Sequence, residues 1–234
     1  MQLSSWMAGR QTDLRRGWST WIFARLCATS HSMKRLLMPV TSSFGATIDH
    51  GSIVCLARNV MEAGVLISYI SQEGLSEDEW KCRLQTFHIH DCVARIRLFK
   101  GISADRKAEK MRVALEELRS RISSNAHFKK LPEEAQEKVL AGSVIYLGGL
   151  RSAAEVAGWS KSHFDAMYNY FSMQSHSAPM GFYQMDHRKI DYKKITPYQF
   201  YLVGLALEIA RISMDSSSKR MRELFPDEDV KSSK

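Results

Sequence analysis

The chain has 234 residues, 44% apolar and 25% charged, with a formal net charge of +8. That balance excludes wholesale disorder and suits a chain able to bury a substantial core. No apolar run reaches the roughly 18 charge-free residues of a membrane span. The charge is uneven. Residues 1–40 hold Arg10, Arg15, Arg16, Arg25, Lys34 and Arg35 against Asp13 alone, and the remainder is nearly balanced, which weakens the case for a nucleic-acid binder. Cys27, Cys55, Cys82 and Cys92 form no C-x-x-C pair, so reduced, partly buried thiols are expected rather than disulfides or a zinc site.

Residues 1–13 look frayed. A first helix is expected over 14–38, with Trp18, Trp21, Ile22, Leu26, Met33 and Leu36 on its apolar side, docked loosely on the rest. The same Arg-rich, Ser-bearing leader also fits an organelle transit peptide, or an extension upstream of a start at Met33 or Met38. Pro39 and the run 41–45 make the first connection.

The stretch 48–70 organises the chain. Its apolar side chains fall on every side of a helix, which places it in the middle of a bundle. Arg58 and Glu62 lie one turn apart on it, so an internal polar pair is expected. Asp49 is its cap, and residues 72–74 end it. Ser76 with Glu79 forms a capping-box signature for a helix over 77–100. Trp80, Leu84, Phe87, Ala94 and Leu98 are its expected apolar line, with Asp91 and Arg95 beside it. Ser103 starts a more polar helix over 104–123, packed through Met111, Leu115, Leu118 and Ile122. Pro132 opens a short helix to Leu140. Helical segments are expected over 144–147 and 153–157, then a helix capped by Ser160 running to about Ser175. A long loop over 178–195 follows. Thr196-Pro197 starts the last helix, buried through Tyr198, Tyr201, Leu202, Leu205, Ile209 and Ile212, with an end blurred by serines 216–218. The pattern predicts an all-α fold: a single bundle of six to eight helices over 41–225, preceded by a basic segment 1–40 and followed by a disordered tail 226–234.

Tyr168, Ser172 and His176 follow at spacings of four on one helical line, opposite Phe164, Met167 and Phe171. Polar groups so aligned can meet the Arg58/Glu62 pair across a helix interface. A central L-x-R-x-x-x-E-A (Leu56, Arg58, Glu62, Ala63) followed by Y-x-x-x-S-x-x-x-H (Tyr168, Ser172, His176) resembles a bacterial all-helical family called domain of unknown function 5677, over roughly residues 45–215. The resemblance implies a helical bundle and brings no established activity. The cluster has two readings. It is a buried ion pair with a satisfied core histidine that fixes helix register, or a polar site in which Glu62 is base or ligand, Arg58 an anion holder and His176 an acid/base.

Three further patterns are weaker. His88, His90 and Asp91, with Glu62 and His176 from neighbouring helices, offer metal-ligand chemistry, but the paired Glu-x-x-His of helical-bundle metal sites is missing, and no metal or cofactor is expected. Arg83-x4-His88 resembles the motif of metal-independent ribonucleases of the HEPN superfamily, as do Arg25-x5-His31 and Arg121-x5-His127. Residues 151–168 resemble a helix-turn-helix, with Ala154, Gly158, Ser160 and Phe164 at its small, turn, cap and apolar positions. Lys161 and His163 are too few cations for a DNA reader, so a helical hairpin is preferred. The expected protein is cytoplasmic, a binding or regulatory module centred on Arg58, Glu62 and His176. A hydrolase or ribonuclease using that cluster is the alternative, and a DNA-binding regulator through residues 151–170 the third. A protein partner fits the first of these, nucleic acid is weakly supported, no membrane partner is expected, and the partner itself is not legible.

Overall fold

The computed structural model describes residues 13–38, 40–42, 45–175 and 194–226, with the isolated residues 179, 183 and 190. His176, most of the expected loop 178–195, most of the frayed start and the tail after Pro226 lie outside the described residues. Eight α-helices among them make the fold all-α: α1 (Leu14–Leu36), α2 (His50–Ser71), α3 (Glu77–Gly101), α4 (Asp105–Ser123), α5 (Glu133–Leu140), α6 (Gly149–Val156), α7 (Lys161–Ser175) and α8 (Pro197–Leu224). The connection after α1 holds a small hairpin the sequence did not suggest, with β1 (Val40–Ser42) antiparallel to β2 (Gly45–Thr47). The helices gather into two compact units, one from the described residues of Met1–Ser71 and Ala154–Lys234, the other Gln72–Ala153.

In the first unit α2 is the core helix, packed by α1, α7 and α8. Asp49 caps it by accepting the Ser52 N–H at 3.0 Å. By length and composition α2 is the one helix among the described residues that could cross a membrane, and 61% of its apolar window is buried within the protein. Its partner α8 runs parallel to it in constant register. His50 meets Gln199 at their N-termini, Gly64 faces Ser213 midway, and Ser71 meets Arg220 at their C-termini, each pair 149 residues apart. Serines 216–218, expected to blur the end of α8, instead lie inside it. Ser217 is buried together with Ser213, where a Cβ on Gly64 would stand 3.3 and 3.2 Å from them. Small side chains on both helices let the backbones approach. The expected buried face of α8 is corrected accordingly. Leu202 and Ile209 are buried with Val203, Ala206, Ala210 and Met221, while Tyr201 is exposed.

Helix α1 begins at Asp13, whose carboxylate accepts the Arg16 N–H at 2.7 Å. It is not loosely docked. Phe23, Leu26 and Met33 are at most 1% exposed, so its inner line is core. Burying three such side chains stabilises the unit by several kcal/mol at about 1.5–3 kcal/mol each.

In the second unit α3 and α4 pack side by side, closed by α5 and a 3-10 turn at Phe128–Lys130. Ser76 caps α3 by accepting the Glu79 N–H at 3.1 Å. The core is Cys82, Ile89, Cys92, Leu115, Ile122, Phe128 and Val139. That shifts the expected line on α3, since Leu98 is exposed and Cys82, Ile89 and Cys92 replace it. Ser103 is not a cap for α4. It takes a left-handed backbone at φ 55°, and Ala104 holds the N-cap position with no side-chain bond. No helix forms over the expected 144–147, where the chain is irregular and bends, and the following helix starts earlier than expected, at Gly149. Glycine at 142 is required sterically. Its φ is +66°, and a Cβ there would lie 2.6 Å from a Val93 methyl.

Candidate functional site

Arg58 and Glu62 occupy successive turns of α2, and Tyr168 and Ser172 successive turns of α7. Helix α7 is seated by Phe164 and Phe171, both fully buried. Arg58 Nε donates to Glu62 Oε1 at 3.1 Å, Nη1 to Ser172 Oγ at 3.3 Å and Nη2 to the Tyr168 hydroxyl at 2.8 Å. The guanidinium carbon also stands 4.5 Å from the centre of the Tyr168 ring, a cation–π distance. Phe164 stacks on Tyr168, 5.5 Å away at 22°, and Trp159 meets Phe164 edge-on at 6.2 Å. An aromatic column therefore fixes the ring that fixes the arginine.

Exposure separates the two charges. The Arg58 side chain is 19% exposed and the Glu62 side chain 37%. A guanidinium drawn this far from water needs its donors satisfied, and all three of its nitrogens are engaged. The carboxylate stays within reach of solvent. Of the five candidate residues, Arg58, Glu62, Tyr168 and Ser172 are brought together, and His176 lies outside the described residues.

The weaker candidates lie elsewhere. In the second unit Arg83 donates to Gln72 Oε1 and to Glu79 Oε1, each at 2.8 Å, so its guanidinium is used in a local network. Burial holds the His88 imidazole below its ordinary pKa against the opposing pull of Asp91. His90 Nδ1 lies 2.9 Å from the Gly142 carbonyl oxygen, which ties it to the turn after α5. Among the described residues no group of three or more His, Cys, Asp or Glu is placed to hold a metal ion. All four cysteines are free, and burial pushes the Cys82 thiol up to about 12, with Glu79 adding to it. Such a thiol is inert as a nucleophile. Between α6 and α7 the chain turns at Gly158, φ +85°, and Ser160 accepts the His163 N–H at 3.4 Å.

Two polar contacts of the first unit escaped the sequence reading. Arg220 of α8, with a side chain 13% exposed, donates through Nε to Ser71 Oγ at 3.0 Å and through Nη2 to the Ser71 carbonyl. It thereby covers the C-terminal carbonyls of α2, where a cation is favoured. At the other end Gln199 Nε2 stands 3.4 Å from His50 Nδ1, while Gln199 Oε1 accepts the Thr196 N–H at 2.9 Å. Partners 149 residues away leave no local signal at either site.

No protein-family model, curated protein or solved structure matches the chain. The fold and this constellation define an all-α protein with a tethered arginine and a solvent-reaching glutamate on its core helix.

Proposed function

We propose that the protein is a binding or regulatory module in which Glu62 is the presented group and Arg58 is its architectural partner. The observation that supports it is the division of labour around Arg58: each nitrogen of its guanidinium already serves a different partner within the chain, whereas Glu62 remains 37% exposed. The charge of Arg58 is already met by Glu62, and its guanidinium is turned to partners on α2 and α7. A carboxylate at the surface, with one oxygen pinned by an arginine, is suited to accept hydrogen bonds from a ligand's N–H or O–H groups.

The resemblance to domain of unknown function 5677 belongs to the same proposal, and so does a bacterial, cytoplasmic setting. The first is supported by Leu56, Arg58, Glu62, Ala63, Tyr168 and Ser172. Four free cysteines, two of them buried, support a reducing compartment.

The enzyme alternative assigns Glu62 to proton transfer, which its exposure permits. One experiment separates the two. Wild type and Glu62→Gln are assayed for cleavage of single-stranded RNA and of p-nitrophenyl phosphodiesters and carboxylic esters, with thermal unfolding followed in parallel. The binding reading expects no turnover above background from either protein. Turnover by wild type that Glu62→Gln abolishes at unchanged stability would replace it with a hydrolase or ribonuclease.

A further inference from the structure

Helix α1 carries two lines at the spacing of successive helical turns. Ser19, Phe23, Leu26 and Met33 form the inner line and are buried. Leu14, Trp18, Trp21, Arg25, Ala28, Ser32 and Arg35 form the outer one, at alternating steps of four and three. The outer line has its own chemistry. Leu14 is 68% exposed and Trp21 69%, and Trp18 meets Trp21 edge-on at 5.6 Å. Beyond them the line turns cationic, with Arg25 and Arg35 exposed. Neither of these two cations makes an ion pair among the described residues. Elsewhere in the fold exposed arginines are commonly held by an acid one turn away, as Arg95 is by Asp91 and Arg211 by Glu208 and Asp215. From Leu14 to Leu36 the helix contains no Asp or Glu at all.

An exposed tryptophan and leucine on an acid-free basic helix face call for a partner that is apolar beneath and anionic at its surface. We propose that the outer face of α1 lies on an anionic phospholipid surface, with Leu14, Trp18 and Trp21 at the acyl boundary and Arg25 and Arg35 among the headgroups. Charge complementarity selects the occupant. Acidic headgroups attract each such cation, and tryptophan, with an apolar body and a polar N–H, settles at that interface. Nucleic acid would use the cations but leave Leu14 without a role. The absence of a charge-free run of spanning length bears on crossing a membrane, not on lying against one.

The test is co-sedimentation of the full chain with phosphatidylcholine vesicles, with and without phosphatidylserine, at two salt concentrations. The variants are Trp21→Ser and the double reversal Arg25→Glu/Arg35→Glu, both at exposed positions, with circular dichroism verifying the fold. Binding should require phosphatidylserine, weaken with salt, and fall about tenfold or more in each variant. Three results overturn the proposal: no binding to phosphatidylserine vesicles, equal binding to neutral vesicles, or binding that neither variant reduces. Retention of duplex DNA or single-stranded RNA by wild type in place of vesicles, lost in the reversal, would reassign the face to nucleic acid and also overturn it.

Discussion

Arg58 donates to the Tyr168 hydroxyl at 2.8 Å while its guanidinium carbon stands 4.5 Å from the centre of the same ring. One tyrosine on α7 thus holds an arginine on the core helix through both its edge and its face, across 110 residues of sequence. Tyr168→Phe keeps the ring and removes the acceptor. Urea unfolding should show a loss of about 1.5–3 kcal/mol, the range for a hydrogen bond to a charged group. Wild-type stability in that variant would mean the hydroxyl contact contributes nothing.

Gly64 sets the spacing of α2 and α8. Alanine adds helix propensity of about 1 kcal/mol against a Cβ standing 3.2 Å from Ser213 Cβ and 3.3 Å from Ser217 Oγ, so Gly64→Ala should be near neutral. Gly64→Val overfills the seam and should cost about 1–3 kcal/mol or more. Equal melting temperatures for the two variants would show that the helices part freely.

The core of the first unit includes α1. Leu26→Ala should cost about 2–5 kcal/mol, and deletion of residues 1–38 should abolish cooperative unfolding. A truncated chain that melts like the full one would show the helix to be an appendage.

Much of this architecture is legible in local patterns. Ser76, Asp49 and Thr196 announce their helices because capping is chemistry within four residues. The pairing of Arg58 with Tyr168 and Ser172 is legible because all three lie at helical spacings that leave them on facing lines. What escapes depends on partners far along the chain. Helix α1 reads as a loose leader because apolar and cationic groups share its outer face, masking the buried line through Phe23 and Leu26. Serines 216–218 read as a fraying end because the value of Ser217 lies in being small opposite Gly64. Leu98 reads as core because periodicity alone does not say which of two apolar lines on α3 is covered.

His50 gives a pH dependence of defined sign. Burial holds its pKa below the ordinary 6.5, against opposing effects of the Ile48 carbonyl and Asp49. The unfolded chain therefore takes up a proton at higher pH than the folded one. The stability is fully present above 6.5 and declines as pH falls from there toward the folded value. His88, also lowered by burial, adds a slope of the same sign, so the contribution of His50 is read as a difference. Denaturation midpoints of wild type and His50→Asn should diverge above pH 6.5 and converge below it. Parallel curves through that window would remove His50 as their source.

The separation of roles between Arg58 and Glu62 is tested most directly by urea unfolding of Arg58→Met, Glu62→Gln and the double variant. Arg58→Met strips partners from Glu62, Ser172 and Tyr168 at once and should cost about 2–3 kcal/mol. Glu62→Gln, at a carboxylate 37% exposed, should cost no more than about 1 kcal/mol, because solvent replaces what the charge loses and the amide oxygen still accepts from Nε. The double variant should sit close to Arg58→Met. A Glu62→Gln loss equal to or larger than that of Arg58→Met would make the glutamate the structural member of the pair and contradict its role as the presented group.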